Sequence, residues 1–331
     1  MSEALPTIVV VAMGGTIAGS AASTTDSTGY SAGTASIDDL LDSVPEIRTL
    51  ATIRGEQFAQ IDSSDLTDQL LLQLVERVNT ITADPHVDGV VITHGTDTLE
   101  ESAYFLHLTV KSEKPVVVVG SMRPATALSA DGPRNLFAAI TVAASTLAHG
   151  HGVLVVMNDE IHSARDVTKT SSLRLDSFGS PYGPLGTVVD ARAAFFRSVT
   201  RPHTIASEFT VKGLHTLPRT AIIFAHAGLD DSLAAVLEAV HYDAIVHAGF
   251  GNGTVSQRMV SILERASAAG TLIVRASRTG SGQVTGIGAS VGANKWIAVD
   301  DQNPQQARIL TSLALTVTRD PAEIQRILRR Y

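Results

Sequence analysis

The stretch TIVVVAMGGTIAGS, residues 7–20, passes from a β-branched apolar run into a glycine-rich turn. The run TIVVVA predicts a buried strand. A strand followed by such a turn is typical of a phosphate cradle, but a dinucleotide fingerprint needs glycines at its first, third and sixth positions. Counted from Gly14, the third residue is Thr16, and no lysine follows Gly19 as a P-loop would require. The turn therefore presents a hydroxyl where a phosphate-binding loop has glycine.

The chain outward from this turn alternates between strand and helix patterns. Further buried strands are predicted at VDGVVIT (87–93), KPVVVVG (114–120) and GVLVVMN (152–158). Helical spacing of apolar residues over 66–78, with Ser63-Ser64-Asp65 as a predicted N-cap, and the run 135–145 predict two helices. This alternation predicts an α/β fold whose mostly parallel sheet is flanked by helices.

The alternation stops near residue 195 and resumes later in the chain. The polar, irregular stretch before residue 220 predicts a linker over 198–219 between an N-terminal α/β domain (1–197) and a smaller C-terminal α/β domain (220–331). The predicted elements of the second domain are strands at 221–227, 243–249 and 271–277 and helices near 255–269, 304–317 and 320–330.

Composition narrows the function classes. The chain has 331 residues, 44% of them hydrophobic, and a net charge of −8 without a Lys/Arg cluster, so a nucleic-acid partner is disfavoured. It contains no cysteine, which excludes disulfides and a thiol nucleophile. No apolar stretch reaches the roughly 18 residues that span a bilayer. Glu3 and the early glycines argue against a signal peptide, so we expect a cytoplasmic protein, or a periplasmic or secreted one if an export signal has been removed.

Polar residues follow several predicted strands. Thr16, the cluster Thr93–Thr98, Ser121 and Asn158 each come directly after an apolar run. Ligands of open parallel sheets bind beyond the carboxyl ends of the strands. We therefore expect these clusters to converge on one crevice.

Each candidate residue also has a purely structural interpretation. Thr16 is either an N-cap or a nucleophile exposed by glycines, and Asp97 either caps the next helix or binds a substrate ammonium beside the Thr96 hydroxyl. Lys169, in ARDVTKTSS, is either a solvated charge or a buried base. His94 is expected to be packed, and no metal-binding pattern and no cofactor motif is present.

Taken together, the segments resemble the bacterial-type L-asparaginases, especially the type II branch. The similarity covers residue 6 to Tyr331, and GGTIA and HGTDT are individually specific. The matching stretches are MGGTIAGS, GYSAG, GEQFAQIDSSDL, VITHGTDTLEESAYFL, KPVVVVGSMRPATALSADGPRNL, GVLVVMNDEIHSARDVTKT, YGPLG and AGFGNG.

The resemblance implies a function and a set of site residues. The family hydrolyses L-asparagine to L-aspartate and ammonia through a threonine-linked acyl-enzyme, without metal or cofactor, with glutaminase side activity, as a homotetramer built as a dimer of dimers. By similarity, Thr16 is the nucleophile and Tyr30 is the loop tyrosine that helps to activate it, while Thr96, Asp97 and Lys169 form a second triad. The residues expected at the substrate are Ser63, Ser64, Asp97, Ser121, Ser290 and, from a neighbouring subunit, Asn252.

Two positions depart from the family pattern. Ser64 stands where asparagine-selective members have Gln, and GIGASVGANKW (286–296) lacks the acidic residue that the family often places near Ala289 or Ser290. A missing anion beside the substrate ammonium weakens binding by about 1–3 kcal/mol. We therefore expect a high KM for asparagine, which a glutamate at either position should lower.

Three alternatives stay open. The chain could be a catalytically weak or inactive amino-acid-binding protein of the same fold, which ammonia release distinguishes from an enzyme. It could be the amidase subunit of a tRNA-dependent amidotransferase, although such subunits carry an added N-terminal domain and the motif here begins by residue 14. It could bind a nucleotide, against which Thr16 argues.

Overall fold

The computed structural model describes residues 4–230, 232–286 and 295–331. The chain forms two compact units, Met1–Gly213 and Leu214–Tyr331. None of the described helices is long and apolar enough to cross a membrane. The linker over 198–219 stays a prediction.

The strands and helices of the described residues are numbered in chain order. The strands are β1 Thr7–Gly14, β2 Ser20–Ala21, β3 Tyr30–Ser31, β4 Thr52–Ile61, β5 Gly89–Thr93, β6 Val116–Val119, β7 Val153–Met157, β8 Glu160–Ser163, β9 Thr168–Lys169, β10 Phe178–Gly179, β11 Gly186–Val189, β12 Arg192–Phe195, β13 Thr220–Phe224, β14 Ala244–Gly249, β15 Leu272–Ser277 and β16 Ile297–Ala298. The helices are α1 Ile37–Asp42, α2 Asp68–Ala83, α3 Leu99–Thr109, α4 Gly132–Ala143, α5 Ser232–Ala239, α6 Gln257–Ala268, α7 Pro304–Val317 and α8 Pro321–Arg330.

The first unit is built on an eight-stranded sheet in the order β12-β11-β8-β7-β6-β5-β1-β4. Strands β4, β1, β5, β6 and β7 are parallel, and β8, β11 and β12 extend the sheet antiparallel. The parallel strands β1, β5, β6 and β7 are buried almost throughout, as expected for strands covered on both faces. The carboxyl ends of β1 and β5 therefore lie side by side.

The core of the first unit lies against α4. Leu136 and Ile140 of α4 pack with Val10 of β1 and Val117 of β6, and all four are fully buried. Pro133 suits the first turn of α4. The N–H groups of a first turn have no acceptor within the helix, so proline, which lacks an N–H, loses no hydrogen bond there. Burial of each such side chain contributes about 1.5–3 kcal/mol, which fixes the sheet that positions the loops.

The second unit contains a parallel sheet in the order β13-β14-β15-β16. Ile245 of β14 and Ile273 of β15 pack against Met259 and Leu263 of α6. The fold prediction, a larger mostly parallel α/β domain followed by a smaller α/β domain, is confirmed.

Two local expectations differ from the structure. The N-cap of the helix after residue 65 is Thr67, whose side chain accepts a hydrogen bond from the Leu70 N–H, while Ser63–Asp65 forms a separate 3₁₀ turn. The expected cap at Ser63–Asp65 is therefore wrong, because these residues form a turn of their own that ends before the helix begins. The sequence patterns also miss β4, an edge strand none of whose residues is fully buried.

Candidate active site

The glycine-rich turn after β1 brings Thr16 to the carboxyl end of the sheet. Gly14 and Gly15 have φ angles of 97° and 78°, which side-chain-bearing residues rarely adopt. A Cβ on Gly15 would overlap the backbone of Gly95, which follows the adjacent strand β5. The turn can therefore form only with glycine here, and the two loops touch through their backbones.

Thr16 is paired with Tyr30. Its Oγ1 lies 2.7 Å from the Tyr30 hydroxyl oxygen, and the side chain is 6% exposed. The short hairpin of β2 and β3, in which Ala21 is opposite Tyr30, carries the tyrosine to this position. Thr16 begins a 3₁₀ turn, but its side chain caps nothing, and Gly15 occupies the N-cap position. The N-cap interpretation of Thr16 therefore does not hold.

A second hydroxyl centre follows β5. The Lys169 Nζ donates to Thr96 Oγ1 at 3.0 Å and to Asp97 Oδ1 at 2.6 Å. Thr96 is buried, whereas the Asp97 side chain is 61% exposed and the Lys169 side chain 20% exposed. Asp97 thus engages lysine rather than capping α3, whose N-cap is Thr98. Lys169 is accordingly held in an ion pair and is not a freely solvated charge.

His94 supports the backbone at this centre. Its Nδ1 lies 2.7 Å from the Gly95 carbonyl oxygen, to which it donates, and its Nε2 accepts from the Ser102 hydroxyl at 2.9 Å. A carbonyl oxygen can only accept, so Nδ1 carries a proton, and in the neutral ring Nε2 is then the acceptor. Burial lowers the pKa of His94, which keeps that neutral form.

Ser63 links the 3₁₀ turn to the second centre. Its Oγ accepts from the Asp97 N–H at 3.2 Å, and its carbonyl accepts from the Thr98 hydroxyl at 2.8 Å. The exposed Ser64 donates its hydroxyl to Asp62, 2.9 Å away. The buried Ser121 donates to the Arg123 carbonyl at 2.8 Å. Contact of these serines with substrate stays a prediction.

Glu100 is a polar residue of the site that the sequence patterns did not single out. It lies in the first turn of α3, is only 6% exposed, and accepts from the Thr168 hydroxyl at 2.7 Å and from the Lys169 backbone N–H at 2.5 Å. Burial raises the pKa of the Glu100 carboxyl, and these hydrogen bonds oppose the rise. The sequence signal that could have identified Glu100 is its position three residues after Asp97. An acidic residue is common in the first turn of a helix, however, so this position alone does not indicate a role in the site.

The remaining candidates belong to the second unit. Asn252 Nδ2 donates to Thr285 Oγ1 at 3.0 Å, and Asn252 Oδ1 accepts from the Thr285 N–H at 2.7 Å. The fully buried Arg275 donates to the Thr285 carbonyl at 2.9 Å, which supports this pairing from beneath. Ser290, with the neighbouring Ala289, lies outside the described residues.

The first unit therefore carries two hydroxyl centres at adjacent strand ends, one linked to a phenol and the other to a lysine–carboxylate pair. Hydroxyls with proton-carrying neighbours are the groups used for nucleophilic attack on carbonyl compounds. Their position outside the carboxyl ends of parallel strands is that of a ligand site in an α/β enzyme. These features define the class: an α/β enzyme of hydrolase type.

Comparison with known proteins identifies the family. The profile of the asparaginase N-terminal domain matches residues 7–201, and that of the glutaminase/asparaginase C-terminal domain matches residues 219–328. The chain belongs to the asparaginase family, which confirms the resemblance inferred from its motifs.

Individual relatives match along almost the whole chain. A glutaminase-asparaginase of Pseudomonas fluorescens biotype A is 45% identical over 329 residues, covering 99% of this chain and 91% of that protein. A probable periplasmic L-asparaginase of Haemophilus influenzae (strain ATCC 51907 / DSM 11121 / KW20 / Rd) is 48% identical over 331 residues, covering 99% and 93%. The crystal structure of a probable cytoplasmic L-asparaginase from Campylobacter jejuni superposes with a TM-score of 0.95 at 44% identity, covering 98% of this chain and 100% of that one.

Proposed function

We propose that this protein is an L-asparaginase that hydrolyses L-asparagine to L-aspartate and ammonia through an acyl-enzyme on Thr16, with glutaminase side activity. The observation that carries the proposal is the 2.7 Å contact of Thr16 with Tyr30, beside the chain Thr96–Lys169–Asp97. The relatives named glutaminase-asparaginase and L-asparaginase support the substrate class. Discrimination of a single methylene is worth only about 1–3 kcal/mol, so glutamine is expected to react as well.

The proposed reaction begins with attack of Thr16 Oγ1 on the side-chain amide carbon of asparagine. The Tyr30 hydroxyl relays the proton: its oxygen accepts the threonine proton as the C–O bond forms, while its own phenolic proton passes to the amide nitrogen as the C–N bond breaks and ammonia leaves. Water then attacks the aspartyl ester, which releases aspartate and regenerates the Thr16 hydroxyl. The Gly95-Thr96 backbone is the proposed source of N–H donors for the developing oxyanion.

The second centre has a binding and a proton-transfer role in this proposal. The exposed carboxylate of Asp97 is available to the α-ammonium of the substrate, while its Oδ1 keeps Lys169 in place. Thr96, which accepts from Lys169, supplies the second hydroxyl at the reacting amide. Ser63, Ser64 and Ser121 are proposed to complete the contacts to the amino-acid portion, which fixes the amide in a near-attack geometry.

The proposal extends to assembly and location. Asn252 is proposed to reach the site of a neighbouring subunit in a homotetramer arranged as a dimer of dimers, so an active sample with the sedimentation mass of one chain would contradict it. A cytoplasmic location is supported by the similarity to the probable cytoplasmic enzyme, whereas the Haemophilus relative is named as periplasmic. Cell fractionation followed by immunoblotting decides between the two compartments.

The decisive experiment is ammonia release from L-asparagine and L-glutamine over a wide concentration range. Wild-type protein, Thr16→Ala and the conservative Thr16→Ser are compared after each is shown to melt at a similar temperature. Saturable turnover that disappears in Thr16→Ala and partly returns in Thr16→Ser supports the proposal. Absence of turnover by wild-type protein, with asparagine binding retained in calorimetry, would support the amino-acid-binding alternative instead.

A further inference from the structure

Lys169 is placed by a very short piece of structure. Strand β9 contains only Thr168 and Lys169 and pairs with the two-residue strand β10, outside the eight-stranded sheet. The hairpin is closed by the Thr170 N–H, which donates to the Ser177 carbonyl at 2.6 Å. A two-stranded ribbon of this length is not stable by itself, so its position depends on what ties it to its surroundings.

Glu100 ties this ribbon to helix α3. A single carboxylate oxygen, Oε2, accepts both the Lys169 backbone N–H at 2.5 Å and the Thr168 hydroxyl at 2.7 Å. Glutamate is almost never buried unless it is paired, and desolvating its carboxylate is unfavourable. A 6% exposed Glu100 at the edge of the site therefore calls for an explanation beyond the first-turn preference of helices for acidic residues.

The same segment holds both ends of the lysine. Thr96 and Asp97 accept from its Nζ, and Glu100, four residues after Thr96, accepts from its backbone N–H. A lysine side chain has four rotatable bonds, so fixing its tip alone leaves its base free to shift. Because residues 96–100 bind both the backbone and the tip of Lys169, they fix the distance from its Nζ to the Thr96 oxygen.

We propose that Glu100 is a positioning residue of the active site, whose buried carboxylate anchors β9 so that Lys169 reaches Thr96 and Asp97. This inference rests on the proposed function for its kinetic consequence, but the anchoring itself does not depend on it. Glu100 does not touch the substrate in this proposal and acts through Lys169.

Three substitutions separate anchoring from charge. Glu100→Gln keeps a carbonyl oxygen that accepts both hydrogen bonds but removes the charge, whereas Glu100→Ala removes the acceptor and leaves two donors without a partner. Thr168→Val removes only the hydroxyl bond.

Misplacement of a catalytic group by about 1 Å lowers turnover by about 100-fold. We expect kcat for asparagine to fall about 30- to 100-fold in Glu100→Ala, with KM changed less than about 3-fold, and to stay within about 3-fold of wild type in Glu100→Gln.

A double-mutant cycle tests whether the effect passes through the lysine. In a Lys169→Met background, Glu100→Ala should lower kcat by less than about 2-fold further, because the group that it positions is already gone. Equal losses in the two backgrounds would overturn the proposal, and so would full activity of Glu100→Ala. Thermal melting of each variant separates this coupling from a general loss of stability.

Hydrogen exchange supplies a readout that needs no catalysis. The peptide containing Thr168 and Lys169 is followed by mass spectrometry in wild type, Glu100→Gln and Glu100→Ala. Faster exchange of this peptide in Glu100→Ala alone, with unchanged exchange of the β1 peptide, supports the anchor. Unchanged exchange at β9 would overturn it even if wild-type protein released no ammonia, so failure of the anchor and failure of the asparaginase proposal are distinguishable.

Discussion

Thr16 and Thr96 each follow a glycine at the end of one of two adjacent strands, but their side chains are held by different partners. Thr16 contacts a neutral phenol carried by a separate hairpin, whereas Thr96 accepts from a lysine that also pairs with Asp97. The Thr16 centre thus depends on a hairpin of two-residue strands, and the Thr96 centre on a charged network joined to a helix. The comparison shows that two threonines at the ends of adjacent strands differ in chemistry because a different neighbouring element supplies the side chain that contacts each hydroxyl.

Removal of each hydroxyl tests this comparison most severely. We expect Thr16→Ala to lower turnover by about 10⁴-fold or more, because the acyl bond cannot form, and Thr96→Ala to lower it by about 10³-fold. Acid quenching during turnover followed by peptide mass spectrometry should locate an aspartyl adduct on the peptide containing Thr16. An adduct on the Thr96 peptide would reverse the two roles.

Replacement of the second groups gives the next largest effects. Lys169→Met should lower kcat by about 10³-fold because it leaves Asp97 and Thr96 without their shared donor, and Tyr30→Phe by about 10- to 100-fold. Steady-state kinetics with asparagine measures both, and Lys169→Arg serves as the charge-preserving control. A larger effect of Tyr30→Phe than of Lys169→Met would mean that the hairpin, not the charged network, dominates proton transfer.

Acidification should act on the Thr96 centre through His94. The pKa of His94 is lower in the folded protein than its ordinary 6.5, so its contribution to stability is present above pH 6.5 and is lost as the pH falls through the native pKa. Protonation places a charge on a fully buried ring and reverses the bond with Ser102, so that Nε2 must donate rather than accept. Urea unfolding at pH 7.5 and pH 5 should show a smaller pH effect in His94→Gln than in wild type. An identical pH effect in both proteins would place the acid sensitivity elsewhere.

The last expected effect concerns the substrate ammonium. In the proposed site Asp97 binds this group, and Ala289→Glu or Ser290→Glu would add a second anion, lowering KM for asparagine by about 5- to 100-fold. Initial rates at low and saturating substrate measure this, with Ser290→Gln as the uncharged control. If neither glutamate lowers KM, the absence of an acidic residue near position 290 does not weaken binding, and Asp97 alone is sufficient to bind the substrate ammonium.

The sequence predicts much of this architecture because buried parallel strands have a simple signature. The apolar runs of β5, β6 and β7 and the helical spacing of α2 lead directly to the observed sheet and its flanking helices. Strand β4 escapes detection since none of its residues is fully buried. The antiparallel strands β8, β11 and β12 are as short as β6, but each contains polar side chains and so lacks the continuous apolar run of β6.

Site residues are predictable to a different degree. The family motifs single out Thr16, Thr96 and Asp97, and the rule of strand ends brings them to one edge of the sheet. The family resemblance also predicts that Lys169 joins Thr96 and Asp97. The contact of Lys169 with Glu100 is not readable in this way, because 69 residues separate the two along the chain and only the tertiary fold joins them. Their partners follow from long-range packing rather than from any local pattern.

The contact between Gly15 and Gly95 has a consequence for engineering. Because a Cβ on either glycine would overlap its surroundings, the separation of the two threonine loops is a minimum fixed by bare backbone. A larger residue at either position would push the two loops apart or prevent the turn, so no substitution at Gly15 or Gly95 can bring the loops closer. Attempts to change the size of the accepted amide must therefore leave Gly15 and Gly95 in place and alter other side chains around the two threonines.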